Sequence, residues 1–181
     1  TGAAINTATD VVTGNRARMR FEQGAIMASA IDGMAAQNFS IDIANGALNP
    51  ILNGTEAANL TKAEADLVNA RVILADTQTT IAEQARLQAD AEATFLNDVT
   101  DENLAMWDSA TEALEAAQAN LEGAQNKVDT ATQAVQDAKQ LLFDTVTAQV
   151  EQLRAKARHD AEAALKDKNI VVAAKGAAKD I

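Results

Sequence analysis

The chain has 181 residues, a formal net charge of −11 and no cysteine, and 48% of it is apolar while only 3% is aromatic. The missing thiols exclude disulfides and cysteine chemistry. A single histidine beside them argues against a transition-metal site, so no cofactor is expected. The acidic balance argues against wrapping a nucleic-acid backbone, and no run approaches the roughly 18 apolar residues of a transmembrane helix.

Four Phe, one Trp and no Tyr are too few for a globular core. Stability must come from many small contacts, at about 25 cal/mol per Å² of apolar area, and from high helix propensity.

Residues 1–15 are small and polar, with Gly14 and Asn15 as a break, and read as a flexible arm with a turn or two of helix after Thr7. Residues 16–45 read as a helix capped by Asn15, in which Met27, Met34 and Ile41 recur every seven residues and Leu48 continues the series. Gly24 and Gly33 interrupt it. The favoured reading is a packed helix that tolerates two glycines, and the rival is a close approach of another backbone or a bend. Residues 45–60 form the clearest break: Asn45-Gly46, Pro50 and Asn53-Gly54 are turn chemistry, and Ile51 and Leu52 are expected to tuck into a neighbour. The segment 16–60 is thus a helix followed by a Gly/Pro/Asn loop.

Residues 61–168 read as a helical hairpin. Thr61 and Glu64 make a capping box. Leu60, Leu67, Leu74 and Ile81 form one heptad column on its first arm, with Ala63, Ala70 and Thr77 in the second column, and Phe95 and Leu96 closing the end. Residues 97–101 turn the chain, and Thr100 or Asp101 caps the next helix. From Trp107 the columns resume: Trp107, Leu114, Leu121, Val128, Val135 and Leu142 at a, with Ala110, Ala117, Ala124, Ala131 and Ala138 at d. A short connection forces the arms antiparallel. The expected fold is all-α: an elongated, Ala-rich antiparallel coiled-coil hairpin, with the N-terminal helix packing on the far half of the long C-terminal helix.

The reason for two partners is a register break. Past Leu142 the apolar residues continue as Val146, Val150, Leu153, Ala157, Ala161 and Ala164, a four-residue insertion that unwinds the supercoil locally. It falls about where the first arm runs out, so 16–45 is expected to pair with 143–168; pairing of 143–168 with another copy is the rival. Residues 169–181 lose the heptad, carry the β-favouring run Ile170, Val171 and Val172, and read as a flexible tail that docks on a neighbouring subunit or caps its own bundle.

Charge is uneven. Residues 61–152 hold five basic and 17 acidic side chains, and residues 153–181 hold seven basic and four acidic. Compensation of a helix C-terminus accounts for Arg154, Lys156, Arg158, Lys166 and Lys168; a basic end meeting an acidic flank of another molecule is the functional counterpart.

No catalytic constellation stands out. His159 lies among Lys and Arg with no serine motif near it, the acidic pairs read as caps and solvated faces, and no phosphate-binding glycine loop is present. Arg16, Arg18 and Arg20 alternate between helix faces, without the aromatics that base stacking needs.

The function expected is therefore a non-catalytic structural subunit of a larger homo-oligomeric particle or filament, such as a phage virion, tail or cell-surface appendage component, in a virion or extracellular assembly. Its partners are other copies or other subunits of the same assembly, with Arg16, Arg18, Arg20, Ile170, Val171 and Val172 as assembly contacts. Two alternatives stand beside it. One is a membrane-active pore former, translocator or ejection protein using Gly24–Ala36, a weak signal because Asp32 lies within it. The other is a coiled-coil tether or partner-binding module.

Overall fold

The computed structural model describes the backbone of residues 2–177 and the side chains of Glu22 and of residues 24–168. Among the described residues every regular element is helical: α1 (Gly2–Ala44), α2 (Asn49–Leu52), α3 (Thr55–Asn97) and α4 (Asp101–Ala177). They form two units, a hairpin unit, Ile51–Thr145, and a terminal unit, Thr1–Pro50 with Val146–Ile181.

In the hairpin unit α3 and the first part of α4 run antiparallel. Phe95 stacks on Trp107 beside the turn, with ring centroids 5.6 Å apart, and far from the turn Glu64 lies 3.9 Å from Lys139. The seam follows the two columns. Ala70, Ala117, Ala124 and Val135 are buried. Leu60, Leu67, Leu74, Ile81, Trp107, Ala110, Leu114, Val128, Ala131, Ala138 and Leu142 are half-buried, and Leu121 sits at the edge of exposure. Small side chains lie at the centre because only they let two backbones approach closely. Thr77 and Thr145 fit the d column because each hydroxyl donates to a carbonyl of its own helix, Ile73 O at 2.8 Å and Leu141 O at 2.9 Å.

The turn is held twice. The backbone N–H of Asn103 donates to Thr100 Oγ1 at 3.1 Å, an N-cap at the third helical position, and the Asn103 side-chain amide donates back to Asp98 O at 2.7 Å.

In the terminal unit α1 packs against the part of α4 that follows Thr145, also antiparallel. Arg154 lies over the Phe39 ring at 5.3 Å, and two turns earlier on α1 Asp32 meets Arg158 at 3.3 Å. Leu153, Ala157 and Ala161 are buried, the last two almost completely (1% and 0% exposed). The residues after the register break thus face α1, and α4 passes from one unit to the other between Thr145 and Val146.

Several expectations are corrected. The N-terminal segment is helical from Gly2, with no break at Gly14–Asn15; once a helix is nucleated each further residue adds a hydrogen bond, and one glycine costs only about 1 kcal/mol. For the same reason the tail is helical through Ala177 despite Ile170, Val171 and Val172, whose β-branching lowers helix propensity without abolishing it. Residues 178–181 of that tail lie outside the described residues.

The capping box is unused. α3 starts six residues before Thr61, at Thr55 with Gly54 as N-cap, and the Thr61 hydroxyl bonds Ala57 O inside the helix. The loop is shorter than 45–60 and contains α2. α1 ends in a Schellman motif, with Ala47 N–H on Asp42 O and Gly46 N–H on Ile43 O. Gly46 supplies the positive φ of 84° that this motif needs. Leu52 is exposed, and only Ile51 is half-buried. Gly24 and Gly33 have no neighbour within 4 Å of where a Cβ would stand, so no backbone approaches them there.

Ala124, 5% exposed in the seam, gives the direct test of this packing. Ala124→Leu should force the helices apart and destabilise the protein by about 1–3 kcal/mol, read as a lower midpoint in urea by circular dichroism. An unchanged midpoint would place Ala124 on a free face.

Candidate assembly surface

A two-helix unit has one inward face per helix, so any large apolar side chain off that face meets solvent. Many do. On α3, Val68 and Val72 stand on successive turns of the outer side, and Ile73 and Leu87 flank the seam; all four are exposed. At the far end Leu141 and Phe143 emerge on either side of Leu142. Around the turn Leu96 is 67% and Val99 74% exposed, with Leu104 and Met106 exposed on the first two turns of α4. Leu96 was expected to close the end of the seam. Of the expected pair only Phe95 does so, stacked on Trp107, while Leu96 is exposed.

The heptad reading missed these positions because it searches for a and d. The signal available was large apolar residues at other heptad positions, where a solvated two-helix coil carries polar ones.

The charge lies with this surface. Between Arg86 and Lys127 the sequence has nine carboxylates and no cationic side chain. In α4 beyond the hairpin unit the sign changes. Arg154, Lys156, Arg158, Lys166 and Lys168 are exposed; Arg154 lies over Phe39, and two others are paired with carboxylates. Arg158 bridges Asp32 and Glu162, and Lys156 lies 2.8 Å from Asp160 and 4.0 Å from Asp42. Exposed pairs of this kind contribute about 0–1 kcal/mol each. The hydrogen bond from Lys156 holds the Asp160 carboxyl below its ordinary value, and the same bond, with the negative charges of Asp160 and Asp42, raises Lys156 above its own.

Among the described residues no group of three His, Asp or Glu side chains is placed to hold a metal ion, and no helix is long and apolar enough to cross a membrane. His159 is exposed beside Asp160 at 3.6 Å. Within Gly24–Ala36, Asp32 is exposed and paired with Arg158. The side chains of Arg16, Arg18, Arg20, Ile170, Val171 and Val172 lie outside the described residues, although α1 and α4 carry their backbones. No family model matches the chain, and no curated protein is significantly similar to it.

Among the described residues one buried side-chain polar atom lacks a partner: Trp107 Nε1, at the closed end of the seam. A buried unpaired donor costs about 1–3 kcal/mol. Trp107→Phe removes it and keeps an aromatic ring on Phe95. Its unfolding free energy should stay within about 1 kcal/mol of wild type, whereas Trp107→Ala should lose about 3–5 kcal/mol; equal losses would mean that the indole N–H is bonded.

The Lys156–Asp160 pair sets a pH window. A lowered carboxyl contributes stability above its unfolded value of 3.8 and loses it as pH falls through the folded value. A raised ammonium contributes below 10.5 and loses it as pH rises through its folded value. Asp160→Asn should therefore melt slightly lower than wild type at neutral pH and converge with it well below pH 3.8, as thermal melts across the acid range would show.

Proposed function

We propose that the protein is a non-catalytic structural subunit that works by association with copies of itself or with other subunits of one assembly. The observation that carries this reading is the unburied surface. A compact monomer of 19.0 kDa exposes about 8,400 Å², whereas this chain exposes 13011 Å². The excess, roughly 4,600 Å², exceeds the 1,200–2,000 Å² or so that a standard protein interface covers and lies within the range of obligate ones.

What the chain buries by itself is slight. Seven described residues are buried, five of them alanine, against 14 exposed large apolar side chains. Apolar area left in water at that scale is stabilised by covering it. A virion, tail or surface-filament component fits because such subunits are completed by their neighbours.

Association of this kind links folding to concentration. The thermal midpoint should rise with protein concentration, and sedimentation should show a mass that grows with loading above the monomer's 19.0 kDa. A monomer at every concentration, with a fixed midpoint, would overturn the proposal.

A further inference from the structure

We propose that the turn of the hairpin unit receives the C-terminal end of α4 from a second copy, an inference that rests on the assembly reading and names its contact. The turn offers an apolar surface with nothing of its own to cover it: Leu96 and Val99 are 67% and 74% exposed, and Leu104 stands beside them in the first turn of α4. Its surroundings carry one sign. Asp98, Asp101 and Glu102 lie in or next to the turn, and no cation occurs anywhere between Arg86 and Lys127.

The last stretch of α4 has the opposite composition. Lys166 and Lys168 precede the apolar run Ile170–Val172, and Lys175 follows it, with Asp167 the one carboxylate between Lys166 and Lys175. Lys166 and Lys168 are exposed and bonded to no carboxylate by any ion pair of the described residues. An apolar patch bordered by carboxylates and an apolar run bordered by ammonium groups are complementary in both chemistry and sign. Two turns would repel each other, as would two tails.

The contact joins different surfaces of the two molecules, so it is heterologous. Each copy keeps one free turn and one free tail, and association propagates until it closes as a ring or runs on as a filament.

Two variants test this. Leu96→Gln with Val99→Gln changes only exposed side chains at the turn; Lys166→Glu with Lys168→Glu changes only exposed ones on the tail. Circular dichroism melts of each at low concentration check that the fold is kept. By sedimentation velocity in low salt, wild type should form species well beyond a dimer, and each variant alone should stay at 19.0 kDa. An equimolar mixture should give a species of twice that mass and nothing larger, because the turn variant keeps a working tail and the tail variant a working turn. Raising the salt from about 0.05 to 1 M, where the screening length shrinks to about 3 Å, should weaken wild-type association several-fold.

If either variant assembles as wild type does, or the mixture stays monomeric, the turn and tail do not meet and this proposal falls while the assembly reading stands. If wild type is itself monomeric throughout, both fall.

Discussion

Close approach of two backbones across alanine is the constraint on which the rest depends. Ala70, Ala117 and Ala124 in one unit and Ala157 and Ala161 in the other occupy the centres of their seams. Nothing larger could stand there without separating the helices. The same choice limits what the seam yields, since burying one methyl contributes about 0.8 kcal/mol. Leu67, Leu74 and Ile81 line the rim and stay half in water. Surface pairs one helical turn apart add a little more: Lys62–Asp66, Arg86–Asp90, Gln133–Asp137 and Gln140–Asp144 each bond at 2.8 or 2.9 Å and contribute about 0.2–0.5 kcal/mol apiece. Folding is thus spread over many weak contacts with no dominant core.

That thinness explains the exposed side chains. A third layer would cover Val68, Val72 and Ile73 on the hairpin unit, and each unit has two layers only. The register break serves the same economy. A strict heptad would hold α4 in one supercoil with one partner, and four inserted residues after Leu142 turn its apolar stripe so that Leu153, Ala157 and Ala161 face α1 instead.

The seam was legible because period is the strongest signal a helix leaves in sequence: Leu114 to Leu121 to Val128 to Val135, with alanine three residues after each, admits few other readings. A cap of α4 at Thr100 or Asp101 was legible for a local reason, acceptor side chains at the start of an acidic first turn, and the structure uses Thr100. The ends of helices were read less well. Gly14–Asn15 looks like a stop and Thr61–Glu64 like a start, yet cap residues also fit inside a helix: Thr61 simply bonds Ala57 O one turn back. Propagation overrides a weak local signal when the neighbouring residues are good helix formers. The surface at the turn was hidden for another reason. Leu96 looks in sequence like a residue that closes a core, and only the geometry shows that Phe95 and Trp107 have already filled that place.

Sign of charge decides which kind of association such a chain can support. The hairpin unit holds five basic and 17 acidic side chains, so stacking two of these units side by side sets like charge against like charge along the whole contact. The terminal unit is close to neutral, with Arg16, Arg18 and Arg20 on α1 and most of its other cations on α4. A symmetric dimer through the hairpin faces would have to neutralise both partners at once, with counterions or another subunit. A contact between unlike ends needs neither, and it leaves the acidic faces turned to solvent, where they keep growing assemblies from collapsing sideways. On the proposed reading, the same uneven charge that makes the isolated chain look unfinished directs how it is completed.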